Sequence, residues 1–258
     1  MIAKQDLIEG MVKGMAVLES FDTERQRLNA TMASMRAGIT RTAARRHLLT
    51  LHHLGYLESD GRYFWLASKV LRFSGSYLAS ARLPRLLQPL LEKLAAHVNA
   101  SFSVAVLNGD EVVIVARAAS VQARVGGIQV LAYGLHLGAR LPAHVTSTGR
   151  VLLSSMPRSA FNEWLKDRIL PRFTPHTVTD SRRFRQVIDQ VRRDDFCLAQ
   201  EEHELGVQAL AVPLRNLQGQ TVAALNVVAG ASHVTAELMR QHWLPLIGDA
   251  ARQWQRVI

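Results

Sequence analysis

The sequence predicts an α+β protein in two parts, a small helical N-terminal part and a larger C-terminal part built on an antiparallel sheet. Three observations lead to this prediction. Apolar residues recur at three- and four-residue spacing up to about residue 54, which is typical of amphipathic helices. From about residue 101 onward, short apolar segments are joined by turns that contain Asn and Gly, as in β-hairpins. The later helical segments are grouped around strands rather than alternating with them one by one, which favours α+β over α/β.

The 258 residues have a globular composition with an excess of positive charge. Hydrophobic residues make up 48% and charged residues 20%, which excludes a disordered or low-complexity chain. The 31 Lys and Arg residues are mostly Arg, and the net charge is +10. A guanidinium group donates to two oxygens at once, so this surface favours partners that carry phosphate or carboxylate groups. A genome rich in Arg codons would produce the same bias.

Cysteine and apolar-segment content narrow the class of protein further. The single cysteine, Cys197, excludes an intramolecular disulfide framework and a cysteine-rich zinc site. No apolar run approaches the roughly 20 residues of a membrane span. Acidic residues stand where a signal peptide would carry its apolar stretch, so we expect a soluble cytoplasmic protein without contact to a membrane.

The N-terminal segment predicts a winged helix-turn-helix. Residues 7–21 have the spacing of an amphipathic helix, and a short helix over about 29–37 ends at Gly38 as its C-cap. Thr40 or Thr42 can cap a third helix over about 41–54. Residues 56–66 then form a small hairpin around an Asp-Gly turn. Two helices, a turn with a glycine, a basic helix and a hairpin, in this order, are the layout of a winged helix-turn-helix.

The basic residues of this segment form an interval without acids. No Asp or Glu occurs between Glu24 and Glu58. The interval holds Arg25, Arg27, Arg36, Arg41, Arg45, Arg46, His47, His52 and His53. A solvated helix face usually mixes both signs, so this interval is typical of a nucleic-acid footprint. A chance excess in an Arg-rich protein is the alternative. The histidines lack nearby Cys or acidic partners, so no metal site is expected.

The rest of the chain supplies linker helices and the larger domain. Helices are expected over about 68–81 and 85–98, interrupted at Leu83-Pro84. A hairpin over 102–118 and strands around 121–137 follow. Further helices are expected over 147–156, 158–166, 181–194 and 235–256, and strands over 196–200, 207–215 and 220–229. The predicted domains are a DNA-binding domain over 1–67, linker helices over 68–98 and a C-terminal domain over 99–258.

Several motifs resemble one family of regulators. Residues 38–51, GITRTAARRHLLTL, resemble the recognition helix of IclR-family transcriptional regulators, and most closely the branch that controls protocatechuate and β-ketoadipate pathway genes. Residues 140–153, RLPAHVTSTGRVLL, are similar to the effector domain of that branch. So are EEHELG at 201–206, LAVPL at 210–214 and AALNV at 223–227. The resemblance runs from about residue 10 to the end.

The resemblance implies both an architecture and a function. The family implies a homodimer, commonly a dimer of dimers on operator DNA, with a GAF-like effector domain. A small metabolite, often a carboxylate, binds this domain and changes operator occupancy or the recruitment of RNA polymerase. We therefore expect a sequence-specific regulator that senses an aromatic or dicarboxylic acid, such as protocatechuate, 4-hydroxybenzoate or β-ketoadipate. No cofactor is expected.

The third helix is the expected base-contacting element. In a major groove, Arg binds guanine through two parallel hydrogen bonds. Helical projection places Arg41 and Arg45 on one face, with Thr42 and Arg46 beside it. We assign Arg41, Thr42 and Arg45 to base edges, and Arg46 to a base edge or a phosphate. The residues assigned to backbone contacts are Arg36, Thr40, Arg62 and Tyr63.

The expected effector site centres on the start of the helix near residue 147. Unpaired N–H groups at a helix start bind anions, so we assign Ser147, Thr148 and Gly149 to a ligand carboxylate; an ordinary capped helix is the alternative. Asn226 lies in an apolar run and needs a partner if it is buried. His144 can donate to a phenol or carboxylate or be a satisfied core histidine. Cys197 can line the pocket or be an inert buried thiol.

Two departures from the branch, and two rival functions, stay open at this point. Many relatives carry Ser-x-Ser where this chain has Asn226, and Arg-Ser where it has Gln208 and Ala209, so the ligand can differ. A hydrolase using His144 and Ser147 is one rival, although no Gly-x-Ser-x-Gly elbow, P-loop or HExxH motif occurs. A DNA-binding protein that senses no ligand is the other, but it would not need the large C-terminal domain.

Overall fold

The computed structural model describes residues 3–22, 25–98, 100–119, 136–232 and 234–258. The chain divides into two compact units, an N-terminal unit over Met1–Ala79 and a C-terminal unit over Ser80–Ile258. The segment predicted as linker helices is shared between them, since the division falls at residue 79.

The N-terminal unit contains the predicted helices and hairpin. A 3₁₀ turn at Lys4–Asp6 precedes the four helices and two strands, which are α1 (Glu9–Leu18), α2 (Ala30–Ala37), α3 (Arg41–His53), β1 (Leu57–Ser59), β2 (Phe64–Leu66) and α4 (Leu71–Ser80). The Asn29 side chain caps α2, and Gly38 ends it in the left-handed conformation, with φ of 64°. Thr40 caps α3. Capping therefore fixes the turn between α2 and α3, as the sequence predicts.

The two strands form the predicted antiparallel wing. Leu57 pairs with Leu66, and Ser59 pairs with Phe64. The Asp60 carboxylate accepts hydrogen bonds from the backbone N–H groups of Arg62 and Tyr63, and these bonds lower the pKa of Asp60. The wing turn is thus closed by its own aspartate.

Helix α1 buries a different face from the one its apolar spacing suggests. Its C-terminal end contributes Val17 to a core that contains Leu28, Ala44 and Leu48. The apolar stripe along its length stays exposed; it consists of Ile8, Met11, Val12 and Met15. An exposed apolar stripe of this kind indicates a surface that another protein surface can cover.

The C-terminal unit is built on a six-stranded antiparallel sheet. Its strands are β3 (Ser101–Asn108), β4 (Glu111–Ala119), β5 (Arg140–Pro142), β6 (Cys197–Gln200), β7 (Val207–Arg215) and β8 (Thr221–Gly230). Their order across the sheet is β5-β4-β3-β8-β7-β6. The hairpins β3–β4 and β7–β8 are the ones that the turns containing Asn and Gly predict, and β3 and β8 join them at the centre.

Helices cover both faces of this sheet. They are α5 (Arg82–Val98), α6 (Ser147–Ser154), α7 (Arg158–Leu165), α8 (Ser181–Asp194), α9 (Ala236–Leu238) and α10 (Leu244–Trp254). One apolar core joins α5 and α10 to one face, and a second joins α6, α7 and α8 to the other. The predicted α+β class, with an N-terminal winged helix-turn-helix and a GAF-like antiparallel C-terminal domain, is confirmed.

Some boundaries differ from the prediction. Helix α5 begins at Arg82 rather than after Pro84, because a proline is tolerated in the first turn, where N–H groups have no helical partner. The last helix is interrupted by a π-helical segment, Met239–Trp243. Strand β5 is absent from the prediction, since three residues show no periodicity. The strand material expected around 121–137 falls mainly at 120–135, outside the described residues.

Candidate functional site

Helix α3 has one buried and one exposed side. Ala44 and Leu48 are fully buried in the core of the N-terminal unit. The predicted base-contacting residues lie on the exposed side; they are Arg41, Thr42, Arg45 and Arg46. The burial of one apolar stripe therefore fixes which side of the helix faces outward.

The arginines of α3 differ from their neighbours in their contacts. The guanidinium groups of Arg41, Arg45 and Arg46 have no ion-pair or hydrogen-bond partner in the part of the chain that the structure describes. In contrast, Arg36 forms an ion pair with Asp22, and Arg27 pairs with Asp60 at 2.7 Å. The α3 groups are thus available to an external anion.

The remaining predicted DNA contacts surround α3 in the N-terminal unit. The Thr40 hydroxyl oxygen accepts a hydrogen bond from the N–H of Ala43, which leaves its O–H free to donate. The Arg62 guanidinium lies over the Tyr63 ring, 5.4 Å from its centroid, at the tip of the wing. Arg36 is partly neutralised by Asp22, so of these residues it is the least available to a phosphate.

A cavity of about 90 Å³ lies in the C-terminal unit, between the start of α6, one face of the sheet and the loop after β6. Of its fourteen lining residues, six are apolar and eight are polar or charged. The lining residues are Leu141, Val145, Thr146, Ser147, Thr148, Ala199, Glu201, Glu202, His203, Glu204, Val207, Ala209, Asn226 and Val228. A concave pocket that combines an apolar surface with converging polar groups is typical of a small-molecule site.

The start of α6 provides one polar end of the cavity. Thr146 caps the helix, and its hydroxyl oxygen accepts from the N–H of Gly149 at 3.2 Å. Ser147 is only 1% exposed, and its hydroxyl has no hydrogen-bond partner among the described residues. A buried polar group without a partner is costly, so this hydroxyl indicates a position where a ligand can bind.

The floor of the cavity is a sheet face of small side chains. Ala199, Ala209 and Val228 come from three adjacent strands, which leaves space beneath α6. Asn226 lies among them and is 7% exposed. Its side-chain oxygen accepts a hydrogen bond from the Ser103 hydroxyl at 2.5 Å. The partner that the sequence requires for a buried Asn226 is therefore Ser103.

The loop after β6 forms the wall of the cavity and is held by a buried ion pair. Arg150 on α6 makes two hydrogen bonds of 2.5 Å to the Glu202 carboxylate. The Thr177 hydroxyl donates to the carbonyl of Glu202 at 2.7 Å. An ion pair this well hydrogen-bonded fixes the loop against α6, and removing one partner would leave the other charge buried.

His203 is the aromatic polar group of the wall. Its ring stacks on Phe173 with centroids 5.4 Å apart. Burial lowers the pKa of His203, and the nearby Glu204 carboxylate opposes this shift only in part. The described part of the lining contains no Lys or Arg, so an acid bound there would be held by neutral donors.

The structure places three of the predicted effector residues outside the cavity lining. Gly149 packs against Ala143, where a Cβ would lie 2.1 Å from the carbonyl oxygen. His144 is buried and bonds the carbonyl of Pro171 through Nε2 at 3.0 Å, so it is a satisfied core histidine. Cys197 is buried below Arg150, and burial raises the pKa of its thiol to about 11. These three residues support the fold around the cavity.

Among the described residues, no group of His, Cys, Asp and Glu side chains is arranged to hold a metal ion. His52 bonds the carbonyl of Leu57 through Nδ1 at 2.9 Å instead. No described helix combines the length and the apolar character needed to cross a membrane.

Comparison with known proteins assigns the family. The IclR helix-turn-helix domain matches residues 11–61, and the C-terminal domain of bacterial IclR transcriptional regulators matches residues 75–256. The chain belongs to the IclR family. An IclR protein of this arrangement is a DNA-binding transcriptional regulator whose C-terminal domain binds a small molecule, so the hydrolase alternative is not supported.

Similar proteins agree with the branch that the motifs indicate. The chain is 48% identical to the Pca operon regulatory protein of Acinetobacter baylyi, over all of this chain and 91% of that protein. It is also 48% identical to the p-hydroxybenzoate hydroxylase transcriptional activator of the same bacterium, over all of this chain and 94% of the relative.

A solved structure extends this comparison to the C-terminal unit. It is the inducer-binding domain of a double mutant of the PobR transcription factor from Acinetobacter, in complex with 3-hydroxybenzoic acid. It shares 44% identity with this chain, covers 69% of it and all of its own length, and gives a TM-score of 0.63.

Sequence reasoning missed several residues around the cavity of this IclR protein. Ser103 gave no signal, because its partner Asn226 is 123 positions away on another strand. The motif EEHELG contains Glu202 and His203, but the motif alone does not show that both line the cavity. Ala209 differs from the residue typical of the branch, but the sequence does not show that it lines the floor.

Proposed function

We propose that the protein regulates genes of aromatic-acid catabolism by binding operator DNA through α3 and a hydroxylated aromatic acid in the cavity of its C-terminal unit. The observation that carries the proposal is the buried hydroxyl of Ser147 at the start of α6, for which the described part of the chain offers no hydrogen-bond partner. The N–H groups at a helix start, together with a hydroxyl that can donate, suit the binding of a carboxylate. The relatives named for the Pca operon and for p-hydroxybenzoate hydroxylase support this class of ligand.

The carboxylate would bind at the start of α6 and the ring above the small residues of the floor. Ser147 donates through its hydroxyl, and the first-turn N–H groups of Ser147 and Thr148 supply further donors. Ala199, Ala209 and Val228 provide an apolar surface for a flat ring. Because the described lining holds no cation, the site favours an acid whose ring contributes to binding over a small dicarboxylate.

On DNA, the proposed contacts are those of α3 and the wing. Arg41, Thr42 and Arg45 would contact base edges, and Arg46 a base edge or a phosphate. Thr40, Arg62, Tyr63 and, more weakly, Arg36 would contact the DNA backbone. Operator binding would place the protein in the cytoplasm, and the bound acid would change operator occupancy or the recruitment of RNA polymerase.

A homodimer is part of the proposal. The exposed stripe on α1 has the i, i+3, i+4 spacing of a helix-packing face; its residues are Ile8, Met11, Val12 and Met15. A second copy of the chain would cover this stripe and supply a second α3 for the other half-site of a symmetric operator.

Operator binding with and without acid tests the proposal. Fluorescence anisotropy would measure binding of the full-length protein to labelled fragments upstream of hydroxybenzoate and protocatechuate catabolism genes, with shuffled fragments as the control. We expect preferential binding of the promoter fragments, and a change in affinity or in transcription in vitro when 4-hydroxybenzoate or protocatechuate is added. Equal binding of shuffled DNA together with no response to either acid would refute it.

A further inference from the structure

Two buried polar residues on the central strands form a pair below the cavity. Ser103 on β3 lies directly opposite Asn226 on β8, and they are 3% and 7% exposed. The Ser103 hydroxyl donates to Oδ1 of Asn226 at 2.5 Å. Asn226 lines the cavity, whereas Ser103 does not. The pair therefore connects the ligand site to a residue behind it.

This hydrogen bond determines what Asn226 can offer to a ligand. An amide side chain has one acceptor oxygen and an NH₂ group with two donors. The oxygen is occupied by Ser103, and the Nδ2 atom has no partner among the described residues. If the amide were turned over, Nδ2 would donate to the Ser103 hydroxyl instead, but a separation of 2.5 Å suits an O–H···O bond and is too short for an N–H···O bond. Asn226 thus presents mainly N–H donors.

We propose that Asn226, held in this orientation by Ser103, is the specificity-determining residue for the ring substituent of the acid. It would donate to the oxygen of a ring hydroxyl, while the start of α6 takes the carboxylate. An amino group at the same ring position is a poor acceptor and brings its own N–H donors against those of Asn226. Ser103 acts as the positioning residue. The identity of the ligand in this inference rests on the proposed function. The pairing of Ser103 with Asn226 does not.

The pairing itself is tested without any ligand. Ser103→Ala, Asn226→Ala and the double variant of the full-length protein would be compared by urea denaturation, with Ser101→Ala and its double variant as the matched control. Ser101 is on the same strand, opposite Val228. We expect the Ser103 and Asn226 effects to be non-additive and those of Ser101 and Asn226 to add. Additive effects of Ser103 and Asn226 would overturn the inference whatever the ligand is.

The specificity is tested with two matched ligand pairs, 3-hydroxybenzoate against 3-aminobenzoate and 4-hydroxybenzoate against 4-aminobenzoate. For at least one pair, we expect calorimetry to show that the wild type binds the hydroxybenzoate about tenfold more tightly than the aminobenzoate. The reason is that the aminobenzoate leaves the buried N–H donor of Asn226 unpaired. Asn226→Asp keeps the acceptor for Ser103 but replaces the NH₂ donors by an oxygen. At about pH 8, where a carboxyl group is ionised, this variant should lose or reverse the preference.

The quantity to compare between variants is the ratio of the two dissociation constants within a pair, aminobenzoate over hydroxybenzoate. General effects of a substitution on the fold or on acid binding change both constants alike and cancel in this ratio. Ser103→Ala should reduce the ratio about threefold or more although Asn226 is retained, and Ser101→Ala should leave it unchanged. An unchanged ratio in Asn226→Asp would overturn the assignment of Asn226. If the side chains are coupled but no benzoate binds the wild type, the proposed aromatic ligand is wrong, and the specificity role fails with it.

Discussion

At the scale of single residues, contacts distinguish side chains that the sequence alone treats alike. Arg41 and Arg36 belong to one basic interval, yet Arg36 is paired with Asp22 and the Arg41 guanidinium has no partner among the described residues. Ser147 and Gly149 belong to one motif, yet only Ser147 lines the cavity. The residue types could be predicted from the motifs. Their roles could not, because these depend on partners distant in sequence.

The exposed arginines of α3 give the first prediction. Arg41→Ala and Arg45→Ala should each weaken operator binding by about 1–3 kcal/mol and relax base preference locally. Arg182→Ala is the control, because it removes one exposed positive charge from α8 in the other unit. Anisotropy on the operator and on variants with single base changes would measure both effects. The assignment fails if both α3 variants retain wild-type affinity and base preference.

The buried His144 and the half-buried His203 give a prediction for pH. Burial lowers the pKa of both His144 and His203 below the ordinary 6.5. The unfolded chain therefore binds protons more readily than the folded chain, so the stability present above about pH 6.5 declines as the pH falls below it. The melting temperature should fall from pH 7 to pH 5, and less steeply in His203→Phe, which retains an aromatic ring to stack on Phe173. Identical pH profiles would contradict the role of His203.

At the scale of elements, local signals predicted most of the fold. Asn29, Gly38 and Thr40 place the ends of α2 and α3 within a residue of the prediction, because caps act through neighbouring backbone groups. The hairpins follow from their turns in the same way. The face that α1 buries could not be predicted, since its apolar stripe does not show whether the fold or a second chain covers it.

The start of α6 depends on one close backbone approach, which gives a third prediction. In Gly149→Ala the new Cβ would lie 2.1 Å from the carbonyl oxygen of Ala143, so the helix must shift. Stability should fall by about 3 kcal/mol or more. Gly10→Ala in α1 is the matched control, since nothing lies near a Cβ there, and it should stabilise by about 0.5–1 kcal/mol. Urea denaturation measures both, and equal effects would contradict the packing described for α6.

At the scale of the whole molecule, the chain combines two units with different physical tasks. The N-terminal unit exposes guanidinium groups that have no partner among the described residues, on a helix whose other side is buried, which suits DNA. The C-terminal unit encloses a cavity whose polar lining consists of neutral groups and three Glu carboxylates, of which that of Glu202 is paired with Arg150. The winged helix-turn-helix and the sheet domain could be predicted from the sequence, and so could the helix start that faces the cavity. The floor and wall could not, since they come from three adjacent strands and the loop after β6.

The cavity as the acid-binding site is the central claim, and a cavity-filling variant tests it most directly. Ala209→Val adds two methyl groups to the floor, while Ala160→Leu adds a larger side chain at an exposed position of α7 and serves as the control. Isothermal titration of the full-length proteins with 4-hydroxybenzoate should show binding to the wild type and to Ala160→Leu. Ala209→Val should bind about tenfold more weakly or not at all, because the added methyl groups occupy the space of the ring. Its melting temperature and operator binding should be retained. Equal acid binding by Ala209→Val and the wild type would contradict the account.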